Sequence, residues 1–183
     1  MTPLDFLINT FFQLYTTVVL LRIWLQWARA DFYNPFSQFV VKATQPIVGP
    51  LRRVIPSIGS LDLATLLFAY VLCLGKVTFF LYSQNYAFGI EFLWLSLLSL
   101  IKSAGMLLFW VLLLRAILSW VSQGRSPIEY VMHQLTEPMT APIRRVIPAM
   151  GGLDLSVLVL FLLLQFTNVV MSNYVPGWNF AFL

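Results

Sequence analysis

Pro46-Ile-Val-Gly-Pro50-Leu-Arg52-Arg53-Val-Ile-Pro56 returns 92 residues later as Pro138-Met-Thr-Ala-Pro142-Ile-Arg144-Arg145-Val-Ile-Pro148. Each copy runs on into a glycine and Leu-Asp-Leu, at Gly59 and 61–63 and again at Gly151 and 153–155. Gapless alignment of 35–63 with 127–155 places 13 identities in 29 positions. Coincidence does not produce that agreement, so the chain reads as a tandem duplication with units 1–91 and 92–183. The identities crowd into a polar, proline-rich arm between apolar stretches, which makes the arm the first candidate for function.

Hydrophobic residues make up 60% of the chain and charged residues 10%, with a mean hydropathy of +0.84. Soluble domains carry roughly 25% charged residues, so the composition predicts a membrane protein. In so apolar a chain the net charge of +4 reads as a topology signal rather than a nucleic-acid interface. Cys73 is the sole cysteine and His133 the sole histidine, which excludes an intrachain disulfide and a Cys/His metal cluster. The sequence holds no Gly-rich phosphate loop, His-Glu-x-x-His or Gly-x-Ser-x-Gly, so no catalytic, cofactor or metal site is predicted.

Four apolar stretches, near Phe6–Trp27, Leu61–Tyr82, Phe92–Val121 and Leu153–Ser172, are long enough for a ~30 Å hydrocarbon core. The first lacks a basic n-region, and its Arg22-x4-Trp27 is echoed by Arg115-x4-Trp120, so it reads as a retained helix rather than a signal peptide. Arg29, Lys42, Arg52 and Arg53 lie in one long connection, and Arg125, Arg144 and Arg145 in the other. The termini and central link hold no lysine or arginine, which puts both arms in the cytoplasm and both termini outside. The expected fold is all-α, with four transmembrane helices forming two parallel two-helix repeats related by an axis along the membrane normal.

Within the arms, Asn34-Pro35 and Ser126-Pro127 carry helix N-cap and N1 residues. Phe36, Phe39, Val40 and Ala43 then form an apolar stripe, matched by Ile128, Val131, Met132 and Leu135. Pro46 and Pro138 are expected to stop these short helices, which then lie in the headgroup plane with Ser37 and Glu129 on the wet side. Pro50 and Pro142 open a second short turn bearing the arginine pairs. Arg52, Arg53, Arg144 and Arg145, with Phe36 and Ile128, are the candidate contacts to anionic lipid and a partner protein. Topology and lipid anchoring alone also explain the arginines. Asp62 and Asp154 fit helix capping, or pairing with an arginine of their own arm.

Lys76 and Lys102 fall in the outer halves of their spans. The repeat matches Lys76 with Asn168 and Lys102 with Asn9, so both positions are polar in both copies. Intramembrane ionisable residues point to a solute path, whereas snorkelling stems explain them structurally. Positive charge there argues against a simple potassium channel. Arg22 and Arg115, beside Trp24, Trp27 and Trp120, read as interfacial anchors, with Tyr82, Tyr86, Tyr174 and Trp178 forming the outer belt.

The doubled Arg-x4-Trp, Pro-x3-Pro-x-Arg-Arg-Val-Ile-Pro and Gly-x-Leu-Asp-Leu, with Asn34-Pro35-Phe36 in the first copy, resemble the YggT family of small bacterial integral membrane proteins. Its relatives include the YlmG proteins of Gram-positive bacteria, cyanobacteria and plastids. The resemblance implies a multi-pass inner-membrane protein without established enzymatic activity, associated with cell division, osmotic or ion homeostasis and membrane-linked assembly. The second copy departs from the motif at Ser126-Pro127-Ile128. The leading expectation is a non-enzymatic scaffold or assembly factor whose arms bind anionic lipid and an unidentified membrane or cytoplasmic protein. The alternative is a small transporter or channel component for an ion or osmolyte.

Overall fold

The computed structural model describes residues 3–59, 61–121, 126–147 and 154–180. Arg125, Pro148, Gly151 and Leu153, and the side chain of Trp120, lie outside the described residues. Six helices follow in order: α1 Pro3–Trp27, α2 Pro35–Val54, α3 Leu63–Ser83, α4 Ile90–Val121, α5 Pro127–Val146 and α6 Leu155–Tyr174. Of these, α1, α3, α4 and α6 are long and apolar enough to cross a membrane. Asp62 and Asp154 sit at the N-caps of α3 and α6, so those helices begin two residues later than the apolar runs suggest.

Helices α1, α3 and α4 pack on one another, and α6 lies at the side against α4 and α5. The core is built from Val19 and Leu25 of α1, Phe68 and Ala69 of α3, and Leu107 and Val111 of α4. Both arm helices insert into that same core through Val40 and Val48 of α2 and Val131, Met132 and Leu135 of α5. Part of the apolar stripe assigned to the headgroup plane is therefore packed against the bundle. Phe39 remains exposed, and Ser37, expected on the wet side, is fully buried. The buried face of α2 follows Ser37, Val40, Thr44 and Val48, so it is half polar.

The arms also differ from expectation in length. Each is one 20-residue helix that runs through both of its internal prolines. An interior proline deprives the carbonyl four residues back of its donor and costs about 3 kcal/mol. Those carbonyls are Lys42 and Pro46 in α2 and Gln134 and Pro138 in α5; neighbouring carbonyls of the same turns receive side-chain donors. Thr44 Oγ1 donates to the Val40 carbonyl at 2.8 Å and Tyr15 Oη to the Ala43 carbonyl at 3.3 Å. In α5, Thr136 Oγ1 donates to the Met132 carbonyl at 2.8 Å and Trp24 Nε1 to the Leu135 carbonyl at 3.0 Å. Each buried Val, Met or Leu adds about 1.5–3 kcal/mol, the same order as the proline cost. Docking thus overrides the local stop signal.

The arms start together: Asn34 Oδ1 caps the Phe36 amide at 2.9 Å, and Asn34 Nδ2 donates to the Pro127 carbonyl at 2.8 Å. Ser126 occupies the equivalent position without a side-chain cap.

Candidate functional site

Beneath each arm lies a buried arginine. Arg22 of α1 donates through Nη1 to Thr44 Oγ1 and through Nη2 to Gln45 Oε1, both at 2.7 Å. Beside it Arg52 donates through Nε to Asp62 Oδ2 at 2.8 Å and through Nη2 to Gln26 Oε1 at 2.7 Å. Asp62 is almost fully buried; its Oδ1 accepts the Thr65 amide at 3.3 Å and its Oδ2 the Thr65 hydroxyl. Burial pushes the Asp62 carboxyl upward, but the hydrogen bonds from Arg52 and Thr65 outweigh it and hold the pKa below the ordinary carboxylate range. One aspartate thereby caps α3 and ties the far end of α2 to it.

The second cluster uses equivalent residues in a different pattern. Arg115 of α4 donates to Thr136 Oγ1, to Thr140 Oγ1 at 3.3 Å and to Asp154 Oδ2 at 3.0 Å. Arg144 pairs with Glu137 and lies 3.7 Å from Asp154, whose Oδ1 caps the Ser156 amide at 3.1 Å. Glu137 stands where the first arm has Gln45, and it also draws His133 to 3.4 Å. Both buried arginines escape a reading in which arginine beside tryptophan means interfacial anchoring. The available signal was Thr44/Thr136, an identity between the copies on the arm face that turns inward.

Adjacent arginines on each arm point apart. Arg52 turns toward Asp62, and Arg144 toward Glu137 with Asp154 further off, while Arg53 and Arg145 are exposed beside Val54 and Val146, each at least 80% exposed. Phe36 packs partly against the core and Ile128 is exposed.

The polar residues of the spans divide into two settings. Lys76 is buried on α3, and the Oδ1 of Asn9 on α1 is buried without a hydrogen-bond partner among the described residues. Lys102 Nζ instead donates to the Trp178 carbonyl at 2.8 Å and lies 5.4 Å from the centre of its ring. Trp178 Nε1 donates to Asn168 Oδ1 at 3.0 Å. Trp178 is therefore buried between α4 and α6 rather than standing in an outer belt. Gly177 permits this: its φ is +87°, and a Cβ there would approach Leu95 Cδ2 to 2.8 Å.

Four apolar helices carrying two amphipathic proline helices, locked on through buried guanidinium groups, define a multi-pass helical membrane protein. Residues 1–82 and 94–175 match the model of the CCB3/YggT family, and the chain belongs to that family. It is 70% identical over 182 residues to an uncharacterized Vibrio alginolyticus protein, covering 97% of this chain and 98% of that one. To the Escherichia coli K12 protein named "Uncharacterized protein YggT" the identity is 56% over 174 residues, covering 94% and 91% of the two chains. A Haemophilus influenzae relative, also described as uncharacterized, is 38% identical over 176 residues, covering 95% and 94%. No solved structure matches the chain.

Proposed function

We propose that the protein is a non-enzymatic scaffold or assembly factor of the bacterial inner membrane, with both termini outside and both arms on the cytoplasmic face. The arms engage anionic headgroups and a partner protein, linking the protein to envelope or osmotic homeostasis. The observation that carries this reading is the division of each arginine pair. Arg52 pairs with Asp62 and Arg144 with Glu137, which leaves Arg53 and Arg145 exposed on helices held against the bundle. A cation on a preorganised helix loses less entropy on binding than one on a floppy loop. Near anionic lipid each such residue is worth ~1 kcal/mol, so the pair contributes ~2 kcal/mol of attraction.

The test is photo-crosslinking in native membranes from Phe39 and Tyr130, which are exposed on the two arms. A recurrent protein adduct should form in the unaltered chain and in Lys76→Met, which leaves the arms untouched. It should be lost in Arg53→Gln/Arg145→Gln, with insertion unchanged. Adducts unchanged by the double substitution, paired with altered solute flux in Lys76→Met, would favour the transport alternative and end this reading.

A further inference from the structure

We propose that copies of this chain assemble head to tail into a ring in the membrane, α1 of one copy packing onto α6 of the next as α4 packs onto α3 within the chain. The repeat supplies the template. Helix α1 corresponds to α4 at an offset of 93 residues, set by Arg22 and Arg115, and α3 to α6 at an offset of 92, set by Asp62 and Asp154. Helix α3 packs along both α1 and α4, whereas α6 packs on α4 and α5 and has no comparable contact with α1 among the described residues. A twofold exchange of the halves would match every α3–α4 contact with one between α6 and α1. The junction between the halves is therefore heterologous, and its counterpart surfaces stay open at the two ends of the chain.

Those open surfaces are the equivalents of surfaces buried at the junction. On α4, Leu100 and Leu107 are 8% and 7% exposed, while their α1 counterparts Leu7 and Leu14 are 64% and 63% exposed. On α3, Cys73, Lys76 and Val77 are buried, while their α6 counterparts Gln165, Asn168 and Val169 are exposed. Lipid tails cover apolar residues as well as protein does, so the leucines alone would call for nothing. Gln165 differs, because it presents an amide at the middle of α6, where hydrocarbon offers no hydrogen bond and a neighbouring helix does. A groove of about 350 Å³ between α1 and α4 marks the axis of the ring. It is lined by Thr10, Gln13, Leu14 and Thr17 and by the four residues 93 positions on. Two repeats that turn equivalent residues to one groove share an axis along it. Closing the ring around that axis also covers Gln13, a second amide exposed near mid-span. The complement of the α6 surface is the α1 surface, and both belong to this chain, so the occupant is a second copy.

The experiment is disulfide crosslinking in native membranes, in a Cys73→Ala background. Within the chain Cys73 lies against Ser99, and the counterparts of these two residues are Gln165 and Phe6. Chains carrying Gln165→Cys and chains carrying Phe6→Cys, differently tagged and co-expressed, should form a mixed disulfide on oxidation, and neither should link to itself. Both substitutions in one chain should give a covalent ladder that stops at the ring size. Gln165→Trp overfills the junction from an exposed position, so it should weaken assembly about tenfold in native mass spectrometry, with helicity by circular dichroism unchanged. Absence of the mixed disulfide, or assembly unchanged in Gln165→Trp, would overturn the junction. Self-linked Phe6→Cys would mean an isologous face, a link within one chain would place α1 on its own α6, and a ladder without end would mean an open array; each of these overturns the ring.

Discussion

Thr44→Val tests whether the buried Arg22 holds the first arm in place. Arg22 is 4% exposed, and its Nη1 has Thr44 Oγ1 at 2.7 Å as its near partner, with the Val41 carbonyl at a weaker 3.4 Å. Valine keeps the branched shape but removes the acceptor, so a donor on a buried cation loses its main hydrogen bond. That costs about 1–3 kcal/mol. Taking ~2 kcal/mol, the equilibrium for opening α2 should rise roughly 30-fold, read as faster amide hydrogen exchange in peptides spanning 37–51. Arg22→Met should behave differently, because it removes the stranded charge together with its desolvation cost, and Thr44 keeps its bond to the Val40 carbonyl. Thr44→Val added to Arg22→Met should then cost under ~0.5 kcal/mol, so a double-mutant cycle isolates the Arg22–Thr44 coupling. The same cost in both backgrounds would refute the reasoning, since Thr44 would be acting through packing alone.

The second arm should tolerate the equivalent change better. Thr136→Val should cost under ~1 kcal/mol by the same exchange measurement, because Arg115 retains Thr140 and Asp154. Asp62 predicts an acid transition. Its folded pKa is below the unfolded value of about 3.9, so its contribution is complete above that pH and is lost as pH falls through the folded pKa. Thermal scans between about pH 6 and about pH 3 should show this loss, and Asp62→Asn should remove the pH dependence at a lower baseline stability. Orientation is testable with a reporter active only in the cytoplasm: inactive when fused after Leu183, active when inserted near Gly124. Activity at Leu183 would reverse the topology.

Composition and hydropathy sufficed for four helices able to span a membrane, because twenty apolar residues in a row leave the backbone no other arrangement in lipid. The doubled Arg-Arg-Val-Ile-Pro arm sufficed for the family, since that match is carried by residue identity alone. The amino-acid order also marked Asn34, Asp62 and Asp154 as helix caps, because a cap is a contact between residues two or three apart. Tertiary structure decided what depended on distant partners. Pro46 and Pro138 carry a genuine local stop signal, overridden only when α2 and α5 pack into the core of the bundle. Arg22 looks interfacial from its neighbours in sequence and becomes a core residue through Thr44 and Gln45, which lie a full connection away. Trp178 looks like a belt residue until the turn at Gly177 folds it onto Lys102. Local chemistry is written along the chain, whereas desolvation, packing and the partner of a buried charge exist only once segments distant in sequence meet.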